Sequence, residues 1–217
     1  PGAAAGVSVQ VQLVGTTGAA PKAGLTLTFS EPSLPSANTT ASYDGWVNVD
    51  ENLGASVGDA FETRADPWLS SGFTRRGGFA HADDASAPSD YTLTSPWLQV
   101  NATGNFVVNF RERHSFEWDG TRYWDGAVLE FTTDGVTWLD VFSELNINPG
   151  YTALLETQDG MALSGRAAWA NQNPGFPGYS SRNVNFGTAL AGQRVRLRFR
   201  VASDGAVGAY GFDVDDF

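Results

Sequence analysis

The chain has 217 residues, 41% of them apolar, with seven Trp and 14 Phe but no cysteine. That apolar content argues against wholesale disorder, and the missing thiols exclude disulfide staples, thiolate metal sites and a cysteine nucleophile. A formal net charge of −11 disfavours nucleic acid and anionic membranes as partners, and it suits a cation held by oxygen ligands.

The opening Pro1-Gly2-Ala3-Ala4-Ala5-Gly6 carries neither Met nor a signal peptide, so the chain reads as a piece of a longer polypeptide. Val7, Val9, Val11 and Leu13 then alternate on one face, as do Leu25, Leu27 and Phe29, with a Gly- and Ala-rich loop between them. This period of two predicts an N-terminal β-hairpin within residues 1–35. It belongs either to the main domain or to the tail of a preceding one. Residues 31–42, rich in Pro, Ser and Thr, read as a linker, and residues 36–217 as the main domain.

From Trp46 onward, short strands are expected at 59–64, 90–100, 105–117, 127–133, 137–142, 151–157, 164–170, 193–202 and 209–217. Residues 170–183 read as a long polar and aromatic loop. With almost no helical periodicity, the pattern predicts an all-β fold, a two-layer antiparallel β-sandwich. No stretch reaches 18 apolar residues, so insertion of a helix into a membrane is not expected.

In the strand 194–201, Val195, Leu197, Phe199 and Val201 face inward, and Arg194, Arg196, Arg198 and Arg200 face outward. Those arginines either line a groove for an acidic ligand or pair with acids on neighbouring strands. In the final strand Phe212 and Val214 share a face, and Asp216 continues it. A carboxylate at the end of a core-facing row needs a cation or several donors. Asp216 is therefore read as a ligand for a hard cation of the calcium type.

Trp118, Tyr123 and Trp124 lie in the turn-rich stretch 117–126, and Tyr179 lies in the long loop. Such rings either stack on sugar faces, beside Asp and Asn that accept hydroxyl bonds, or fold back over the ends of the sandwich. Trp46, Trp97 and Trp169 are read as core. Glu112 and His114 share a parity, and the pair is either a dyad or a satisfied polar contact. With His81 and His114 the only histidines, a three-histidine zinc site is excluded, and no Gly-x-Ser-x-Gly elbow is present. No catalytic residue is assigned, and a non-catalytic domain is expected.

Phe61-Glu62 with Trp68, Leu93-Thr94-Ser95-Pro96, Asp125-Gly126-Ala127-Val128-Leu129-Glu130, Thr137-Trp138, Val195–Phe199 and Phe212–Asp216 follow one another in order. Together they resemble MAM domains and calcium-containing jelly-roll carbohydrate-binding modules. The likeness runs over about residues 46–217 and is nearest to the MAM-like modules of secreted bacterial multidomain proteins. Those include modules attached to metalloproteases of the immune-inhibitor-A and fungalysin-like types.

The resemblance implies a jelly-roll sandwich in which an early Glu and a late Asp meet on a structural calcium ion. By motif position these are Glu62 and Asp216, with Asp90 as a third candidate. The alternative for all three is turn capping or pairing with Arg. The resemblance further implies a secreted, non-catalytic module that binds a glycan or a cell-surface polymer and contacts other domains of its parent polypeptide. The alternative role is a structural or processing domain of a secreted metalloprotease. Thr132–Trp138 resembles the Asp-box hairpin of sialidases, one residue short, which is a turn device with Trp138 expected in the core.

Overall fold

Residues 25–28, 40–43, 47–50, 54–57, 68–148 and 150–217 are described by the structure, a computed structural model. The chain divides into two compact units, Pro1–Asp66 and Pro67–Phe217. In the first, β1 (Leu25–Thr28) pairs antiparallel with β2 (Thr40–Tyr43), and β3 (Val47–Asp50) pairs with β4 (Gly54–Val57). The expected strand at 24–30 is β1. Its expected partner at 7–14, the boundary at 35/36, Trp46 and the strand at 59–64 with Glu62 lie outside the described residues.

The second unit is a two-layer antiparallel β-sandwich. In chain order its strands are β5 (Leu69–Ser71), β6 (Thr74–Arg75), β7 (Ala80–Ala82), β8 (Ser89–Thr94), β9 (Leu98–Gln99), β10 (Phe106–Ser115), β11 (Gly126–Thr132), β12 (Leu139–Asp140), β13 (Ala153–Leu154), β14 (Ala167–Ala168), β15 (Ser180–Gly187), β16 (Arg194–Ser203) and β17 (Gly211–Asp215). One layer runs β15-β10-β17-β7-β6. The other runs β12-β11-β16-β8-β5, with β9 also on β16.

Alternation decides what faces the core. Val108 and Phe110 of β10, Val195, Leu197, Phe199 and Val201 of β16, and Phe212 and Val214 of β17 all point between the layers. Their rings interlock: Phe199 meets Phe110 at 5.0 Å and Phe212 at 5.8 Å, and Trp169 stacks on Phe212 at 5.9 Å. Each such side chain contributes about 1.5–3 kcal/mol through burial.

β11 is buried along its whole length. Its second face is covered by the segment 151–170, where Leu155, Met161, Leu163, Ala168 and Ala170 cluster on Val128 and Ala202. Gly126 permits the close approach, since a Cβ there would lie 2.8 Å from the Trp169 carbonyl oxygen and 3.0 Å from Ala168.

Four segments depart from expectation, the first being 90–100, which is not one strand but β8 and β9, interrupted at 95–97 where Pro96 has no amide to donate. Residues 137–142 are not one strand, because the Asp140 carboxylate accepts from the Phe142 and Ser143 amides and caps the helical turn α1 (Val141–Glu144). Residues 180–183, expected at the end of the long loop, open β15 (Ser180–Gly187) instead. Its Ser and Asn residues are tolerated because it is an edge strand paired with β10 alone. The final strand stops at Asp215. Asp216 has φ 49°, and this left-handed residue takes its side chain off the core-facing row, which ends at Val214.

Phe199→Ala should lower stability by about 3–5 kcal/mol, because it empties a site where four rings meet. Denaturant unfolding would measure this; a loss below about 1 kcal/mol would contradict the packing described.

Asp134 reports on the 132–138 turn. Its carboxylate accepts from the Val136 and Thr137 amides, both at 2.8 Å, and from the Thr132 hydroxyl. These donors, led by the Val136 amide, hold its pKa far below the usual range. A depressed carboxylate stabilises the fold above its unfolded pKa of about 3.9, and that contribution is lost as pH falls through the folded value. Asp134→Asn should therefore melt lower than wild type at pH 7. The gap should narrow in melts below about pH 4.

Candidate functional site

The connection from β10 to β11 is a hairpin of Glu117 through Asp125. Asp119 builds its turn: one carboxylate oxygen accepts from the Thr121 amide at 2.9 Å, the Thr121 hydroxyl at 2.8 Å and the Arg122 amide at 2.8 Å. The Thr121 amide, first among these donors, holds the Asp119 pKa down at about 2. The other oxygen takes the Trp124 indole N–H at 3.3 Å. Gly120, at φ 98°, supplies the left-handed corner.

Trp118 and Tyr123 face each other across the hairpin, ring centroids 6.3 Å apart and planes 15° from parallel. Trp118 is 46% exposed, while Tyr123 rests on the core beneath 151–170. Arg122 lies over the Trp124 ring at 5.6 Å. The hairpin is fastened from behind by the Glu156 amide on the Tyr123 carbonyl and by the Gln158 amide side chain on that of Trp124.

Four acids gather at the base of this hairpin. Asp84 follows β7, Glu117 follows β10, Asp125 precedes β11 and Asp204 follows β16, so each layer sends two. One ligand oxygen each from Glu117, Asp125 and Asp204 fall within 4.8 Å of one another. Asp84 is held by the Glu117 amide at 3.1 Å, the Ala209 amide at 3.0 Å and the Ser203 hydroxyl at 2.9 Å. Gly208 lets the 204–210 loop lie this close, since a Cβ there would collide with the Asp84 carbonyl oxygen.

Asp125 accepts the Asp204 amide at 2.6 Å through Oδ1. Its Oδ2 and the Glu117 Oε2 are buried without any donor. Burial pushes the Asp125 pKa up, and the Asp84 carboxylate pushes it further. Burial likewise raises Asp84, and burial followed by the Asp204 charge raises Glu117. These acids were not singled out in the sequence. The available signal was that Glu117 and Asp125 bracket a nine-residue hairpin; only folding brings Asp84 and Asp204 beside them.

The residues expected to bind metal are placed otherwise. Both carboxylate oxygens of Asp90 are taken by Arg200, at 2.7 and 2.8 Å, and this holds its pKa down. Asp216 is exposed and bonded to Arg111 at 2.8 Å. Among the expected glycan contacts, Trp118, Tyr123 and Trp124 come together. Tyr179 does not join them: Arg113 and Arg111 lie over its ring, and its hydroxyl reaches Asp213.

The remaining candidates are structural. Glu112 and His114 are both fully buried and bonded at 2.7 Å, with Arg182 donating twice to Glu112. His114 stacks between Phe116 and Phe212, away from solvent. The arginine stripe is engaged along its length. Arg194 and Arg196 lie over Trp97 and Arg198 over Trp138, while Arg198 and Arg200 also reach Glu130. Trp97 and Trp138, expected in the core, are thus half-buried platforms for arginine, and among the described tryptophans Trp169 alone is wholly internal. No protein-family model matches the chain, and no curated protein matches it.

Arg182→Met would leave Glu112 without its arginine and should cost about 3–5 kcal/mol. Equilibrium unfolding would reveal the loss. An unchanged midpoint would show that the Glu112–His114 pair is stable unaided.

Proposed function

We propose that the Pro67–Phe217 unit is a non-catalytic binding module that holds a neutral glycan or similar cell-surface polymer against the Trp118–Tyr123 hairpin. The observation that carries this is Trp118, a large ring left 46% exposed and stacked in parallel on a second ring. Its hairpin is held by Asp119 before any ligand arrives, which lowers the ordering cost of binding. A flat aromatic face suits the apolar face of a sugar, and Arg122 offers donors beside it. The net charge of −11 disfavours polyanions. The sealing of Glu112 and His114 in the core supports the non-catalytic reading.

With the resemblance to MAM-like and jelly-roll modules, this role fits an accessory unit of a secreted bacterial multidomain protein, tethering it to its target. Retention on a panel of bacterial and plant polysaccharides tests the reading. Trp118→Ala should weaken binding about tenfold or more, as truncation of a central aromatic anchor does, and leave the melting temperature within a few degrees of wild type. Absence of binding across the panel would favour a purely structural accessory domain. Binding that is unchanged in Trp118→Ala would place the ligand elsewhere.

A further inference from the structure

We propose that Glu117, Asp125 and Asp204, buttressed by Asp84, form a site for one hard divalent cation of the calcium class, which clamps the two layers together beneath the aromatic hairpin. The site itself is independent of what the hairpin binds; only its effect on ligand affinity rests on the binding reading above.

Calcium–oxygen bonds are about 2.3–2.6 Å, so two oxygens on one ion lie no more than roughly 5 Å apart. The oxygens of Glu117, Asp125 and Asp204 already meet that limit, lying within 4.8 Å of one another. The donor set is all oxygen, with neither histidine nor thiol, which selects a hard ion.

Asp125 is 0% exposed and its Oδ2 meets no donor, its carboxyl lying within hydrogen-bonding reach of another acid, Asp84; the buried Oε2 of Glu117 meets no donor either. A buried carboxylate oxygen left unpartnered costs free energy that a cation would recover.

Glu112 is answered by Arg182, Glu130 by Arg166 and Arg198, and Asp213 by Arg113 and His81. No ion pair of the described residues involves Asp84, Glu117, Asp125 or Asp204. The protein supplies internal cations to its other buried acids and none to this group.

The location gives the ion its consequence. Glu117 and Asp125 are the two feet of the hairpin that carries Trp118, Tyr123 and Trp124, and the chain crosses there from one layer to the other. Asp204 opens the second crossing, from β16 to β17. In a chain without cysteine, an ion at this end does the work of a staple.

The test is calorimetric titration of the 217-residue protein with CaCl2, after unfolding in chelator and refolding metal-free. One calcium per chain is expected, with a melting temperature that climbs as calcium rises well above its Kd. Amide exchange at 117–125 should be faster in the metal-free protein. Asp125→Asn and Asp204→Asn should each weaken calcium binding at least about tenfold. Asp90→Asn and Asp216→Asn should leave it unchanged, since those acids pair with arginine.

Should Asp125→Asn fail to fold, the half-buried Asp204 and the wild-type titration still decide the matter. No calcium uptake by wild type would overturn the proposal, and so would equal uptake by Asp204→Asn. Calcium uptake without retention on any polysaccharide would uphold this site while removing the glycan reading. If glycan affinity proves independent of calcium in a protein that binds it, the clamp on the hairpin is refuted.

Discussion

Three of the carboxylates that this sandwich takes out of water, Glu112, Glu130 and Asp213, are answered by arginine, and much of the interior is arranged around those pairs. Leaving a buried acid unpaired costs several kcal/mol, more than most single contacts return. Glu112 lies between the layers, where His114 of its own strand and an inward-pointing side chain of β15 reach it. Arg182 is that side chain, and its guanidinium also covers Trp169. Asp213, on the opposite face of β17 from Phe212, is enclosed by His81, Arg113 and the Tyr210 hydroxyl.

The same rule explains the arginine stripe of β16. Glu130 is 2% exposed on the outer face of β11, and Arg166 and Arg198 close over it. Arg166 also reaches Asp140, which caps α1 and accepts the Tyr151 hydroxyl. The covering segment 151–170 is therefore tied to the sandwich by charge at one end and by the Leu155–Leu163 cluster at the other. Arginine suits these places because its planar fork donates to a carboxylate while its face stacks on Trp97 or Trp138.

The regular strands were legible in the sequence because both halves of their alternation are strong. Val195 through Val201 against Arg194 through Arg200 admits no other reading, and β10 and β17 follow the same logic. What escaped was structure that depends on partners. The first half of β15 reads as loop because an edge strand needs apolar residues only at Val184 and Phe186. β7 is Ala-His-Ala, too small and short to register, yet it lies between β17 and β6. The parity of Asp216 misled because one left-handed residue breaks a period of two. At the site, the hairpin aromatics were visible as a local cluster. The acids beneath them were not, since they come from the ends of four strands that only the sandwich brings together.

The central claim is that the four-acid end is completed by an external cation rather than by a proton shared between Asp84 and Asp125. A crystal structure grown in calcium, with anomalous scattering collected for that ion, separates the two. The account predicts a single calcium peak with Asp125 Oδ2 and Glu117 Oε2 at about 2.3–2.6 Å. A site without ion density, in which the Asp84 and Asp125 carboxyls sit at the short distance of a shared hydrogen bond, would contradict it.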